Sequence, residues 1–140
     1  MPDFEIAVDI HAQPDRVWAI LMDVERWPQW TPTVTSAERL DAGPLILGSR
    51  THIGQPKLRP AVWQVTELDE ASGIFTWTAR SPGVLVTARH LVEATATGSR
   101  ATLSVAFSGL LGPLMARLLR KLNQQYVTTE AQSLKKRCEG

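Results

Sequence analysis

The chain has few of the residues that disulfide-bonded, metal-binding or membrane-spanning proteins are built from. Cys138 is the single cysteine among 140 residues, so no internal disulfide can form and a reducing cytoplasm is the expected location. No apolar run approaches the ~20 residues of a membrane-spanning helix. Asp3 and Glu5 interrupt the N-terminus, so we expect no signal peptide there.

Metal ligands and strong fields of one charge are also lacking. Three histidines, His11, His52 and His90, are scattered without ligand spacing, so we expect no metal site. The formal net charge is +1, which gives no reason to expect nucleic acid as a partner. The sequence has neither a glycine-rich phosphate loop nor a nucleophile elbow, and we expect no cofactor.

The hydrophobic pattern predicts one α+β domain over residues 1–140. Residues 3–10 alternate in the manner of a strand, and Pro14 to Trp27 has the spacing of a helix followed by a short second turn. Glycine and proline clusters then separate six further strands. Their expected positions are 33–40, 48–55, 61–68, 74–80, 84–95 and 100–108. Short connections favour an antiparallel sheet.

The last segment, after the strand at 100–108, predicts one helix of some 25 residues, long enough to cross the sheet. Its apolar stripe repeats at helical spacing. The residues expected to face the sheet are Leu111, Leu114, Met115, Leu118, Leu119, Leu122 and Tyr126. Arg117, Arg120 and Lys121 fall on the opposite side, where we expect a solvated face rather than a lipid or RNA site.

Strand alternation assigns an inner face to the sheet. Its expected members are Trp63, Val65, Phe75, Trp77, Ala79, Val84, Val86, Ala88, His90, Val92, Leu103, Val105 and Phe107. The set is rich in aromatic rings, which either fill a core or line a gap between a curved sheet and a straight helix.

Several stretches resemble one known family. The run from Ala12 to Trp30, with its proline, Val-Trp and Trp-Pro pattern, is similar to the opening of the START-like, or SRPBCC, superfamily, in its polyketide cyclase/dehydrase branch. Residues 63–69, Phe75 to Trp77 and Phe107 to Gly109 extend the resemblance over nearly the whole chain. It implies a helix-grip fold: a curved seven-stranded antiparallel sheet wrapped on a long C-terminal helix, with two short helices after the first strand.

The resemblance and the alternation together suggest candidate site residues. Those expected to contact a ligand are Trp27, Trp30, Trp63, Trp77, Phe75, Val86, His90, Phe107, Met115, Leu118, Leu119, Leu122 and Tyr126. For proton chemistry the candidates are His90, Glu130 and Tyr126, because a histidine has a near-neutral pKa. A structural His90–Glu130 contact that fastens the helix to the sheet is the alternative.

Three functions are open at this point. The first is a carrier for a small hydrophobic molecule, lipid-like or polyketide-like. The second is a cyclase or dehydratase that uses His90 as general acid and base, and the third is a protein-interaction module with a filled interior. The sequence leaves the oligomeric state open, monomer or homodimer.

Overall fold

The computed structural model describes residues 2–140, and its element order matches the expected one. The strands are β1 (Phe4–Ile10), β2 (Ser36–Arg39), β3 (Arg50–Gly54), β4 (Ala61–Asp69), β5 (Ile74–Ser81), β6 (Val84–Thr95) and β7 (Gly98–Ser108). The helices are α1 (Pro14–Met22), a 3-10 helix (Val24–Gln29), α2 (Gly112–Leu118) and α3 (Arg120–Glu139).

The strands form one curved antiparallel sheet in the order β1-β7-β6-β5-β4-β3-β2. From β2 to β7 every strand pairs with the next one along the chain. β1 and β2 lie at opposite edges, so α1 and the 3-10 helix carry the chain from one edge to the other. The predicted seven-stranded helix-grip fold is therefore confirmed.

The predicted inner face is largely correct. Val65, Phe75 and Trp77 are all at most 4% exposed. The register of β4 shifts between Val65 and Glu67, where a bulge brings Leu68 opposite Phe75. Leu68 therefore packs against the core although simple alternation from Val65 would place it on the outer face.

We expected one continuous C-terminal helix, but the structure has two. Leu119 leaves helical geometry, with φ −100° and ψ 12°, and separates α2 from α3. Across residues 2–140, no helix combines the length and apolarity that crossing a bilayer requires.

The inward stripe of the closing helix differs from the predicted one. In α3 the buried residues are Ala131, Leu134 and Cys138, at i, i+3 and i+7. The prediction that Leu118 packs against the sheet is wrong, because its side chain is 67% exposed, and Leu114 is 52% exposed. α2 turns Met115 toward the sheet, so Leu114 and Leu118 on its other face lie in solvent.

The C-terminal end is held in place by hydrogen bonds to the first strand and to α1 and the turn before it. Arg16 Nε donates to the carbonyl of Cys138 at 2.7 Å, and Lys135 Nζ donates to the carbonyl of Asp9 at 2.7 Å. The backbone N–H of His11 donates to Glu139, and this bond lowers the pKa of that carboxyl. Cys138 itself is only 3% exposed.

Truncation of Leu134 should destabilise the protein far more than truncation of Leu118. Leu134 is fully buried, so we expect Leu134→Ala to lower the free energy of unfolding by about 2–5 kcal/mol. Leu118→Ala should change it by less than about 0.5 kcal/mol, since the side chain lies in water. Urea denaturation followed by tryptophan fluorescence measures both values. Equal losses would contradict the assigned packing of α3.

The Cys138 thiol should be unreactive while the protein is folded. Burial raises its pKa from 9.0 to about 11, and only the thiolate reacts. At pH 8 the thiolate fraction should then be about 100-fold lower in the folded than in the unfolded chain. A disulfide-exchange reagent, applied with and without urea and with glutathione as reference thiol, measures this ratio. Fast labelling of the folded protein would show an open C-terminus.

Candidate functional site

A cavity of about 710 Å³ separates the sheet from the N-terminal half of α3. Its floor is the inner face of β4 to β7, and its roof is formed by α2 and the first turns of α3. The 3-10 helix contributes Trp27 to one wall. The cavity exists because α3 meets the sheet closely only near Ala131 and Leu134, so its other half stands away from the strands.

Aromatic rings form the inner end of this cavity. Trp77 lies at the centre, with ring centroids 5.2 Å from Trp27, 4.9 Å from Phe75 and 5.8 Å from Trp63. Trp27 is 2% exposed, and its indole N–H donates to the carbonyl of Leu21 at 3.1 Å. Contacts between the rings, and the hydrogen bond of Trp27 to the backbone, set the orientation of the rings at this end of the cavity.

The predicted ligand-contacting residues divide into two groups. Those that line the cavity are Trp27, Trp63, Trp77, Val86, His90, Phe107, Met115, Leu119 and Tyr126. Four others do not line it. Phe75 is fully buried beneath Trp77, Trp30 packs behind Trp27, and Leu118 points to solvent. Leu122 is half-buried outside the cavity wall.

His90 is the most buried titratable side chain of the cavity wall. It is 3% exposed and lies opposite Phe75 in the β5–β6 register. Its ring stacks on that of Phe75 at 4.9 Å, and Nδ1 is 3.1 Å from the Phe75 carbonyl oxygen. A carbonyl oxygen only accepts, so Nδ1 must carry a hydrogen and donate it. The free ring position is therefore Nε2.

Glu130 brings a carboxylate to that free nitrogen. Oε1 lies 3.5 Å from His90 Nε2, and the two side chains are 18% and 4% exposed. Oε1 is buried and has no hydrogen-bond partner among residues 2–140. The predicted approach of His90 and Glu130 thus occurs, but at a distance that leaves hydrogen-bonding capacity unused.

Nε2 of His90 and Oε1 of Glu130 thus lie side by side on the wall of the cavity, which is otherwise mainly apolar. A polar group of a bound molecule could approach both atoms at once.

Tyr126 does not join this pair. Its hydroxyl donates instead to the carbonyl of Pro56, in the loop between β3 and β4. Burial raises the pKa of the Tyr126 phenol, which keeps it protonated as a donor. The bond ties the β3–β4 loop to α3 across the cavity. The predicted His–Glu–Tyr grouping is thus reduced to a His–Glu pair.

Sequence reasoning missed the loop side of the cavity. The additional lining residues include Gln55, Leu58, Arg59 and Pro60 of the β3–β4 loop, with Val34, Ile53, Asn123 and Val127. The Gln55-Pro56-Lys57 stretch signalled only a turn, and nothing in a turn signal predicts a cavity wall. Val127 was missed because the predicted stripe ran through Tyr126 alone, whereas both neighbours line the cavity.

The cavity opens where its lining residues are exposed. These are Arg59 and Pro60 on the β3–β4 loop, Val62 at the start of β4, and Arg80 and Ser81 at the end of β5. The opening therefore carries positive charge, while the inner end is aromatic. Among residues 2–140, no three His, Cys, Asp or Glu side chains lie close enough together to hold a metal ion.

Comparison with solved structures agrees with this architecture. BexL, a di-domain ARO/CYC from the BE-7585A biosynthetic pathway, is 18% identical with a TM-score of 0.75, over 95% of this chain and 45% of that one. A Thermobifida fusca protein solved by NMR is 20% identical with a TM-score of 0.78, over 96% and 91%. Major latex-like protein 151 from Panax ginseng is 11% identical with a TM-score of 0.75, over 96% and 95%.

Identities this low establish the fold alone, and the chain spans less than half the length of the di-domain protein. No curated protein sequence matches it. The sequence profile described as "Polyketide cyclase / dehydrase and lipid transport" matches residues 1–139. The chain therefore belongs to the polyketide cyclase/dehydrase and lipid transport family.

Proposed function

We propose that the protein binds one small, largely apolar molecule that carries a hydroxyl or carbonyl group. The observation that carries this proposal is the cavity between the sheet and α3. At about 710 Å³ it lies within the roughly 300–1,000 Å³ typical of small-molecule sites. Its walls are mainly aliphatic and aromatic, as expected for a site that removes an apolar body from water.

The His90–Glu130 pair is the feature that would orient the ligand. It is the polar point at the aromatic end, and Glu130 Oε1 lacks a partner among residues 2–140. A ligand hydroxyl placed between Nε2 and Oε1 could donate to one and accept from the other. A fully apolar ligand would leave this group unpaired, at a cost of about 1–3 kcal/mol. The pair thus favours ligands with one polar group over pure hydrocarbons.

The family also supports the binding of an apolar small molecule. The family description combines polyketide chemistry with lipid transport, and both concern molecules with large apolar surfaces. We place the protein in the cytoplasm, where a lone thiol such as Cys138 stays reduced. A docking module with a filled interior is less well supported, because the interior contains a cavity.

Catalysis is the second candidate, and the His90–Glu130 geometry is the observation that favours it. A bound ketone with its α-carbon near Nε2 or Oε1 would lose a proton to the unprotonated member of the pair. The protonated member would donate to the ketone oxygen, giving an enol, and the reverse steps would restore the ketone. Aldol cyclisation and dehydration require the same kind of proton transfer.

Filling the cavity should abolish binding of an apolar probe. Val86 lies on the inner face of β6 and lines the cavity, so Val86→Trp would occupy its volume. We expect the dissociation constant of 1-aminoanthracene to rise about tenfold or more, a loss of about 1.4 kcal/mol. Fluorescence titration of the probe measures this constant.

Thr87 provides the matched control. It is the next residue on β6 and points to the other face of the sheet, so Thr87→Trp adds the same ring outside the cavity. Its probe affinity should equal that of the wild type. If the wild type does not bind the probe, or if both variants lose binding equally, the proposed site is wrong.

Proton transfer can be tested without knowing the natural substrate. In D₂O, an aromatic ketone such as 2-tetralone should exchange its α-protons for deuterium faster with the protein than in buffer. Glu130→Gln should remove the acceleration while leaving probe binding intact, because glutamine keeps the shape and loses the titrating group. Proton NMR of the ketone records the exchange.

Glu93→Gln serves as control, since Glu93 is an exposed carboxylate on the same sheet and outside the cavity wall. Its exchange rate should match that of the wild type. An exchange rate no faster than in buffer, despite proven binding of the ketone, would eliminate the catalytic candidate and leave the carrier.

A further inference from the structure

A patch of exposed leucines lies next to the opening of the cavity. The patch consists of Leu110, Leu111, Leu114 and Leu118, which are 91%, 44%, 52% and 67% exposed. Leu111, Leu114 and Leu118 fall at i, i+3 and i+7, so they form one stripe on α2. Four large apolar side chains within nine residues are more than the scattered exposed leucines that any surface carries.

The patch is fixed to the end of the molecule where the cavity opens. The backbone N–H of Leu111 donates to the carbonyl of Gly83 at 2.8 Å, joining α2 to the β5–β6 turn. A side chain at Gly83 would meet Leu111, and one at Gly109 would lie 2.6 Å from the Gly83 carbonyl oxygen. Both glycines have positive φ, so the close approach depends on their lack of a side chain.

The same helix presents a second apolar face to the cavity. Met115 and Leu119, at i and i+4, line its roof, while Leu114 and Leu118 face outward. The leucine patch and the ligand site are thus separated by the thickness of one seven-residue helix. Whatever binds the patch lies next to the opening.

Exposed cations lie on α2 and next to it, where the sequence led us to expect only a solvated face. Arg80, Arg117, Arg120 and Lys121 are exposed, and none of them belongs to an ion pair within residues 2–140. Residues 101–129 contain three cations, Arg117, Arg120 and Lys121, and no acid.

The nearest acid in the adjoining groove is Asp3, which lines it together with Arg117 and Arg120. Its carboxylate accepts a hydrogen bond from the Phe107 backbone N–H at 2.7 Å. The exposed charges next to the leucine patch are therefore mainly positive.

We propose that α2 docks the cavity opening onto an anionic lipid bilayer. Peripheral membrane attachment has two components: apolar side chains that enter the lipid interface, and cations that bind the lipid phosphates. The leucine patch supplies the first and the neighbouring arginines and lysine supply the second. A second protein copy is disfavoured, because two such faces would bring their cationic rims together. Docking would let an apolar ligand pass between bilayer and cavity with little exposure to water. This delivery rests on the proposed ligand binding, but the docking does not.

Vesicle sedimentation tests the proposal with the complete chain and no ligand. Wild-type protein should sediment with phosphatidylcholine vesicles containing about 30% phosphatidylglycerol, and much less with phosphatidylcholine alone or in high salt. The double variant Leu110→Gln/Leu118→Gln should lower the partition coefficient about fivefold or more. Arg117→Gln/Lys121→Gln should lower it on anionic vesicles and remove most of its salt dependence.

Ile46→Gln/Leu47→Gln is the matched control, since these side chains are 58% and 65% exposed outside the patch. It should sediment like the wild type. The proposal is overturned if the wild type stays in solution with anionic vesicles, or if the control loses as much binding as the patch variant. Analytical ultracentrifugation in which the patch variant abolishes a wild-type dimer would assign the patch to a second copy instead. Because no ligand is present, these results are independent of whether the cavity binds one.

Discussion

The structure depends on one asymmetry: α3 is packed tightly at its C-terminal end and held away from the sheet at the other. Ala131 and Leu134 are fully buried, and the small side chain of Ala131 lets helix and sheet approach closely. Hydrogen bonds from Arg16 and Lys135 fasten the same end. A straight helix fixed at one end above a curved sheet diverges from it, and the diverging half encloses the cavity. The cavity is thus a product of the fold's geometry.

The His90–Glu130 contact lies where the tight and the open halves meet. The Phe75 carbonyl fixes one ring nitrogen of His90, and Glu130 comes from the first buried turn of α3 that follows the open half. A structural contact and a ligand-recognising contact are compatible here, because the 3.5 Å separation joins helix to sheet without using all the hydrogen-bonding capacity. The aromatic rings around Trp77 exclude water from one side, which strengthens any polar interaction that a ligand makes there.

Sequence reasoning predicted the sheet better than the helix. Strict alternation identified the inner faces of β6 and β7 because backbone pairing enforces a period of two, and only the β4 bulge at Val65 interrupted it. The closing helix was harder, because leucines at helical spacing do not reveal which of them meets a surface. Leu114 and Leu118 fit the stripe yet lie in water, while Val127 was missed. The β3–β4 loop wall was beyond prediction, since its position depends on the Tyr126–Pro56 bond across the cavity.

The central claim is that the cavity holds a small molecule. The most direct test is native mass spectrometry of the protein after purification from its own organism. The purification must avoid organic solvent, which would extract a bound molecule. The account predicts a folded species heavier than the chain by the mass of one small molecule, which is released on denaturation and contains a hydroxyl or carbonyl group. Folded protein that carries no additional mass, and that gains none on incubation with an extract of apolar metabolites, would contradict it.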